Sequence, residues 1–328
     1  MKISIIIPCY NVENYISPLL GSILKQIENK DVEVICVNDG STDQTLSVLK
    51  SFALENCHLH VINQNNGGPA VARNTGLNIA KGDYIWFIDG DDMVDSNAIE
   101  VLLREMSVNP TDVICFDYLS VDENGGLVPS DKRLKYDYQQ VFKGTEAYAK
   151  FNIPSYLWNR IIRRNLIEKY HVCFAFRPED EDFLINIYLV AESFRFINCH
   201  LYMYNDVEGS FSKCVENHYY YYKGYFLIME KYRKFTSIVP DNIFWHKFVW
   251  TCLKNIIINY NRVKIGNYRE RIDDRLVMYA KIREHLSIYE KCISNKNFGS
   301  LFFPLVKYVP FLLDLPCYFV YKLRIKHD

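Results

Sequence analysis

The chain has 328 residues, with 38 Lys and Arg against 39 Asp and Glu. That near balance excludes a global electrostatic footprint for nucleic acid or another polyanion, and the length allows one large α/β domain plus an appendage. Ten cysteines are scattered with no CxxC pair and no metal-ligand spacing, which argues against a zinc framework and reads as buried thiols in a reducing cytosol.

No secretory leader and no internal repeat are read. Lys2 to Ile7 is predicted as a buried strand closed by Pro8-Cys9-Tyr10-Asn11. Tyr15, Leu19, Leu20, Ile23, Leu24 and Ile27 then fall at helical spacing, with Pro18 tolerable near the start. Val32 to Val37 is a second strand ending in Asn38-Asp39-Gly40-Ser41-Thr42-Asp43. A helix is predicted from about Asp43 to Leu54, and His58 to Ile62 as a third strand. Strands and helices alternating at these lengths argue for a parallel, doubly wound sheet.

The stretch Asn65-Asn66-Gly67-Gly68-Pro69-Ala70-Val71-Ala72-Arg73-Asn74 places two glycines in a turn and a proline at the first helical position. Amides at such a start face an anion well, and Arg73 lies one turn in. An ordinary loop with a solvated Arg fits the same residues. Neither GxGxxG nor GxxxxGK[ST] occurs, so the standard dinucleotide and P-loop readings lack support.

Asp83 to Ile88 reads as a further buried strand, and it ends in Asp89-Gly90-Asp91-Asp92. Carboxylates this close repel unless a cation or donors offset them, and a hard Mg²⁺ or Mn²⁺ suits an oxygen-rich site beside substrate phosphates. An acidic turn capping the next helix is the other reading. Ser96 to Val108 is predicted helical, Asp112 to Tyr118 a strand, Asp122 to Gly126 a hairpin tip and Lys143 to Phe151 a short helix. Residues 155–164 are a mixed apolar and basic segment. Arg177-Pro178-Glu179-Asp180-Glu181-Asp182-Phe183 opens an apolar helix, where the helix dipole favours acidic residues. Four in a row exceed what capping needs, and one of them suits a general base. Phe194 to Tyr204 is strand-like.

From about Val215 the pattern turns to long helices rich in Tyr and Lys, giving domains of 1–214 and 215–328. Residues 301–321 are mostly apolar, interrupted by Lys307, Asp314 and prolines 304, 310 and 316, and followed by Lys322, Arg324 and Lys326. This fits a monotopic element in the inner-leaflet interface. A helix pair closing a soluble core is the alternative.

Four ordered segments make the chain resemble a family 2 glycosyltransferase of the GT-A fold, of the bacterial surface-polysaccharide type. They are Ser4 to Asn11, Val37 to Asp43, Gly67 to Gly76, and the Asp89-Gly90-Asp91-Asp92 turn, and the resemblance covers roughly residues 1–212. It implies a mostly parallel central sheet flanked by helices, with a mainly helical C-terminal region. Pro8, Tyr10 and Asp39 match the residues that hold the nucleotide base, Asp39 accepting from a uracil-type ring. Arg73 matches a diphosphate neighbour. Asp89 matches the ribose or metal position and Asp91 the metal position of the DxD element. Glu179-Asp180 matches the element whose Asp is the general base, which singles out Asp180, since Phe183 then falls at that element's spacing; the repeated doublet Glu181-Asp182 offers Asp182 as the other register. Trp158 matches an acceptor-side aromatic, and Ser210 a loop that folds over the donor.

The expectation is an inverting, Mn²⁺- or Mg²⁺-dependent transfer of a sugar from a UDP-sugar to a hydroxyl of a growing, lipid-linked surface glycan. It places the chain in the cytoplasm, peripheral at the membrane, with no nucleic-acid partner. Two other classes compete. A sugar-nucleotide nucleotidyltransferase needs a glycine-rich phosphate loop after the first strand, where Pro8-Cys9-Tyr10-Asn11 stands. A catalytically degenerate assembly protein is opposed by the presence of every expected carboxylate.

Overall fold

A computed structural model describes residues 2–121, 126–129, 137–175, 178–205, 215–238 and 243–265. The chain divides into two compact units, one of residues 1–175 and 179–207, the other of 176–178 and 208–328.

The first unit is built on one ten-stranded sheet. Its first half alternates as the sequence predicts: β1 (Ile3–Cys9), α1 (Ile16–Ile27), β2 (Val32–Asp39), α2 (Thr45–Glu55), β3 (Leu59–Gln64), α3 (Pro69–Ile79) and β4 (Tyr84–Phe87). The four strands lie parallel in the order β3-β2-β1-β4. Buried on both faces, β1 and β2 read as near-continuous apolar runs. Helix α1 offers Ile16, Leu19, Leu20, Ile23 and Ile27 to the core, and each such side chain contributes about 1.5–3 kcal/mol when fully buried. Helix α3 packs so close to β1 that a Cβ on Gly76 would lie 2.4 Å from Ile6 Cγ2.

The second half departs from simple winding. β5 (Met93–Val94), α4 (Ala98–Val108), β6 (Val113–Val121), β7 (Leu127–Pro129), β8 (Val141–Phe142), α5 (Gly144–Lys150), β9 (Arg160–Arg163), α6 (Arg164–Lys169), α7 (Glu179–Val190) and β10 (Phe194–Asn205) follow. β9 inserts antiparallel between β4 and β6, in the segment predicted only as mixed apolar and basic. Its Arg160 is 1% exposed, and its guanidinium donates to Asn159 Oδ1, the Tyr188 hydroxyl and the Pro154 carbonyl. A charge so fully bonded lies comfortably in a central strand. β10 runs parallel to β6 and continues antiparallel to the short β5. Flanking the predicted hairpin tip, β6 and β7 pair antiparallel.

In the second unit, α8 (Val215–Ile238) and α9 (Ile243–Ile265) run antiparallel. His218 Nδ1 meets Asn259 Oδ1 at 2.8 Å near one end, and Tyr232 packs on Trp245 and Phe248 near the other. Among the described residues no helix is long and apolar enough to cross a membrane. The apolar segment 301–321 and the basic residues after it lie outside the described residues, as do Arg177 and Ser210.

Candidate active site

Three segments that open helices or close strands converge at the carboxyl ends of β1, β2 and β4, the edge where parallel α/β sheets bind ligands. Asp39 is the last residue of β2 and is 3% exposed. Its Oδ1 accepts from Gln64 Nε2 at 2.7 Å and from the Gly67 N–H at 2.9 Å, and its Oδ2 from the Gly68 N–H at 2.8 Å. Gly68 sits at φ 84°, a conformation that favours glycine. A carboxylate has about four lone-pair sites, so Asp39 holds the glycine turn and keeps room for one further donor. Pro8 is half-buried in β1 and Tyr10 is 49% exposed beside it. Asn11 and Val12 are laced to the turn after β2: Asn11 Oδ1 accepts from the Thr42 N–H at 2.8 Å, and Thr45 Oγ1 from the Val12 N–H at 2.9 Å.

Arg73, in the second turn of α3, lies between the two acidic elements. Its side chain is 7% exposed and is shared by three carboxylates. Nη1 donates to Asp180 Oδ1 at 3.0 Å and Glu179 Oε1 at 3.3 Å, and Nη2 to Asp89 Oδ1 at 2.9 Å. Burial alone lowers its pKa, but Asp180, Asp89 and Glu179 together raise it and keep it charged. A guanidinium so engaged ties the two acidic elements together.

The acidic cluster opening α7 sorts by exposure. Asp182 is fully buried, Glu181 is 3% exposed and accepts from the Ser155 hydroxyl, and Glu179 is 6% exposed against Arg73. The Asp180 side chain alone remains about a third open, at 34%. Burial drives its pKa up, Arg73 pulls it down, and Glu179, Asp89 and Glu181 raise it again, to about 8. Of the carboxylates in the two doublets, Asp180 is thus the one with an oxygen left towards the site.

Asp89 and Asp91 face each other across the turn, and burial together with Asp89 pushes the Asp91 carboxyl up to about 6. One guanidinium thus stands against Asp89, Glu179 and Asp180, with Asp91 close enough to Asp89 to feel its charge, an excess of negative charge. Hard oxygen donors in such an excess fit Mg²⁺ or Mn²⁺. Among the described residues no group of three or more His, Cys, Asp or Glu gathers to hold a metal. Asp92 turns away and is 2% exposed.

Trp158, expected to face an acceptor, is 5% exposed and sandwiched between rings. It stacks on Tyr202 at 4.4 Å and on Tyr156 at 4.6 Å, so neither face is open. The half-buried Tyr156 ends the stack instead. Sequence reasoning missed Tyr202, Asn205 and Ser155, which touch the site from 26 or more positions away and leave no local signature.

Comparison with known proteins places the chain among transferases. The sequence profile of Glycosyl transferase family 2 matches residues 4–179. Glycosyltransferase GlyG of Streptococcus pneumoniae serotype 4 is 32% identical over 217 residues, 63% of this chain and 72% of that protein. Glycosyltransferase GlyA of the same organism is 32% identical over 221 residues, 65% of this chain; the match spans only 32% of GlyA. Among solved structures, Staphylococcus aureus TarS 1–349 in complex with UDP-GlcNAc shares the fold, with a TM-score of 0.69 at 24% identity over 97% of this chain and 89% of that one.

Proposed function

Because the chain belongs to glycosyl transferase family 2, we propose that it moves a sugar from a UDP-sugar to a hydroxyl of a cell-surface glycan, with inversion at the anomeric carbon. The observation that carries this reading is the Arg73 bridge, which brings Asp89 of the first acidic element and Asp180 of the second into one site. UDP as the carrier is supported by the UDP-GlcNAc bound to TarS.

In this reading Pro8 and Tyr10 flank the base, and the remaining lone pair of Asp39 accepts from the ring. Asp89 and Asp91 hold the divalent cation. When bound, that cation stabilises negative charge on the diphosphate oxygens. Arg73 fixes Asp180 Oδ1, which leaves Oδ2 to take the proton of the acceptor hydroxyl. The freed oxygen attacks the anomeric carbon from the face opposite the diphosphate. As that bond forms, the bond from carbon to phosphate oxygen breaks, and UDP departs with the electron pair. A carboxylate raised towards neutrality is a stronger base than an ordinary one and is still available near pH 7 to 8. The finer reading, a lipid-linked acceptor met at the membrane surface, rests on the sequence of residues 301–328.

The test is calorimetric titration of UDP and GDP, each with and without Mn²⁺, on the wild type and on Asp91→Ala. Mn²⁺-dependent binding of UDP, lost in the variant, is the expected result. No binding of UDP to folded wild-type protein overturns the reading.

A further inference from the structure

The last strand of the sheet grips the acidic turn. The Tyr202 hydroxyl donates to Asp92 Oδ2 at 2.5 Å, and its oxygen accepts the Asp89 N–H at 3.2 Å. Three residues on, the Asn205 N–H donates to Asp92 Oδ1 at 2.7 Å, and Asn205 Nδ2 donates to the Asp91 carbonyl at 3.2 Å. Both oxygens of Asp92 are therefore committed to β10. Its side chain lies on the buried side of the turn, at 2% exposure, and Tyr202 is fully buried. The phenol cannot swing away, because its ring stacks on Trp158 at an interplanar angle of 6°.

From this geometry we infer that Asp92, Tyr202 and Asn205 form a clamp that aims the carboxylates of Asp89 and Asp91. Asp92, the third carboxylate of the Asp-Gly-Asp-Asp turn, is a positioning residue and not a ligand of the cation. The inference rests on the reading of Asp89 and Asp91 as the cation's ligands. The physical reason for a clamp is preorganisation. A four-residue turn left to itself samples many backbone angles, and two carboxylates on it meet one cation only after that freedom is lost. Bonds to the Asp89 amide, the Asp91 carbonyl and the Asp92 side chain remove it in advance, as outer-shell partners do at metal sites generally. The stack of Tyr156, Trp158 and Tyr202 anchors the clamp in the core.

The experiment titrates UDP into wild type, Asp91→Asn, Asp92→Asn and Tyr202→Phe, with and without Mn²⁺, and follows the thermal melting of each. Asp91→Asn is expected to lose the gain in UDP affinity that Mn²⁺ confers. Asp92→Asn keeps an oxygen for the Asn205 N–H and is expected to retain that gain within about threefold. Tyr202→Phe removes both phenolic bonds and is expected to shrink the gain about tenfold while the metal-free affinity stays unchanged. A loss of stability alone would not produce that split. Asn205→Ala, at a half-buried position, removes the bond to the Asp91 carbonyl and is expected to shrink the gain about threefold, which keeps the test decisive if Tyr202→Phe melts too low to titrate. The inference is overturned if Asp92→Asn loses the Mn²⁺ gain as fully as Asp91→Asn, or if Tyr202→Phe and Asn205→Ala both keep it whole. Wild-type protein that gains no UDP affinity from Mn²⁺ overturns the cation-site reading itself, and the clamp with it.

Discussion

Arg73 and Asp180 lie 107 positions apart in the chain and meet at 3.0 Å, through Nη1 of the guanidinium and Oδ1 of the carboxylate. The same guanidinium reaches Asp89 Oδ1 at 2.9 Å. One buried cation therefore registers the end of β4 against the start of α7, and its removal leaves buried Glu179 without its counter-charge. Arg73→Ala is expected to cost about 3–5 kcal/mol of folding stability, as breaking a buried ion pair from one side does. Arg73→Lys keeps the charge but not the fork that spans two carboxylates, and should fall between. Urea unfolding of the three proteins checks the order.

The raised pKa of Asp180 has two consequences of opposite sense. A base must be deprotonated to work, so kcat/KM should climb with pH along a limb well above the ordinary carboxylate range, towards 8. Arg73 pulls this pKa down, so Arg73→Lys, with a looser contact, should move the limb upward. Stability runs the other way. A folded-state pKa above the unfolded value means that the contribution of this carboxyl is full below about pH 4 and is lost as pH rises towards 8. Asp180→Asn should therefore melt no lower than wild type at pH 8 while losing turnover. A pH series of rates and melting temperatures separates the two effects.

Far from the site, Glu33 tests what holds β4 in place. It is 1% exposed, and its Oε1 accepts from the Ser4 hydroxyl at 2.6 Å and the Lys81 N–H at 2.7 Å. Ser4 Oγ in turn accepts the Gly82 N–H at 2.7 Å. Glu33→Ala leaves buried donors unmet in the turn that delivers the acidic motif, and is expected to cost roughly 2–4 kcal/mol. Glu33→Gln retains an acceptor and should cost less. Denaturant unfolding measures both, with UDP affinity of the folded fraction unchanged.

The basic residues that follow the apolar segment carry the membrane expectation. Changing Lys322, Arg324 and Lys326 to Gln should weaken sedimentation with vesicles containing anionic phosphatidylglycerol by roughly 3 kcal/mol. Binding that ignores both this change and added salt would contradict the interfacial reading.

What the sequence made legible follows from periodicity and turn chemistry. The strands through β4, the helices between them and the proline-opened α3 were readable because apolar runs and glycine turns are local signals. β9 was not, since it begins and ends on arginines around only two apolar residues, and the buried Arg160 is satisfied by the Tyr188 hydroxyl, 28 positions away. Asp180 was singled out over Asp182 only through the resemblance, and its exposure was not legible. Both lie in the first turn of α7, and only packing turns Asp182 into the core and leaves Asp180 partly open. Arg73 was found by its motif, but its three carboxylate partners come from two distant segments. The burial of Trp158 between Tyr156 and Tyr202 was hidden for a related reason, because it depends on strand order.

The central claim is that Asp180 is the base of a UDP-sugar transferase whose donor site does not need it. The most direct measurement compares wild type and Asp180→Asn for UDP affinity with Mn²⁺ and for UDP release from UDP-glucose, UDP-galactose and UDP-GlcNAc, with water standing in for the acceptor hydroxyl. The account expects equal UDP affinity within about threefold and a loss of turnover of roughly 10²–10⁴-fold, the usual worth of a general base. Turnover by Asp180→Asn at the wild-type rate would contradict it.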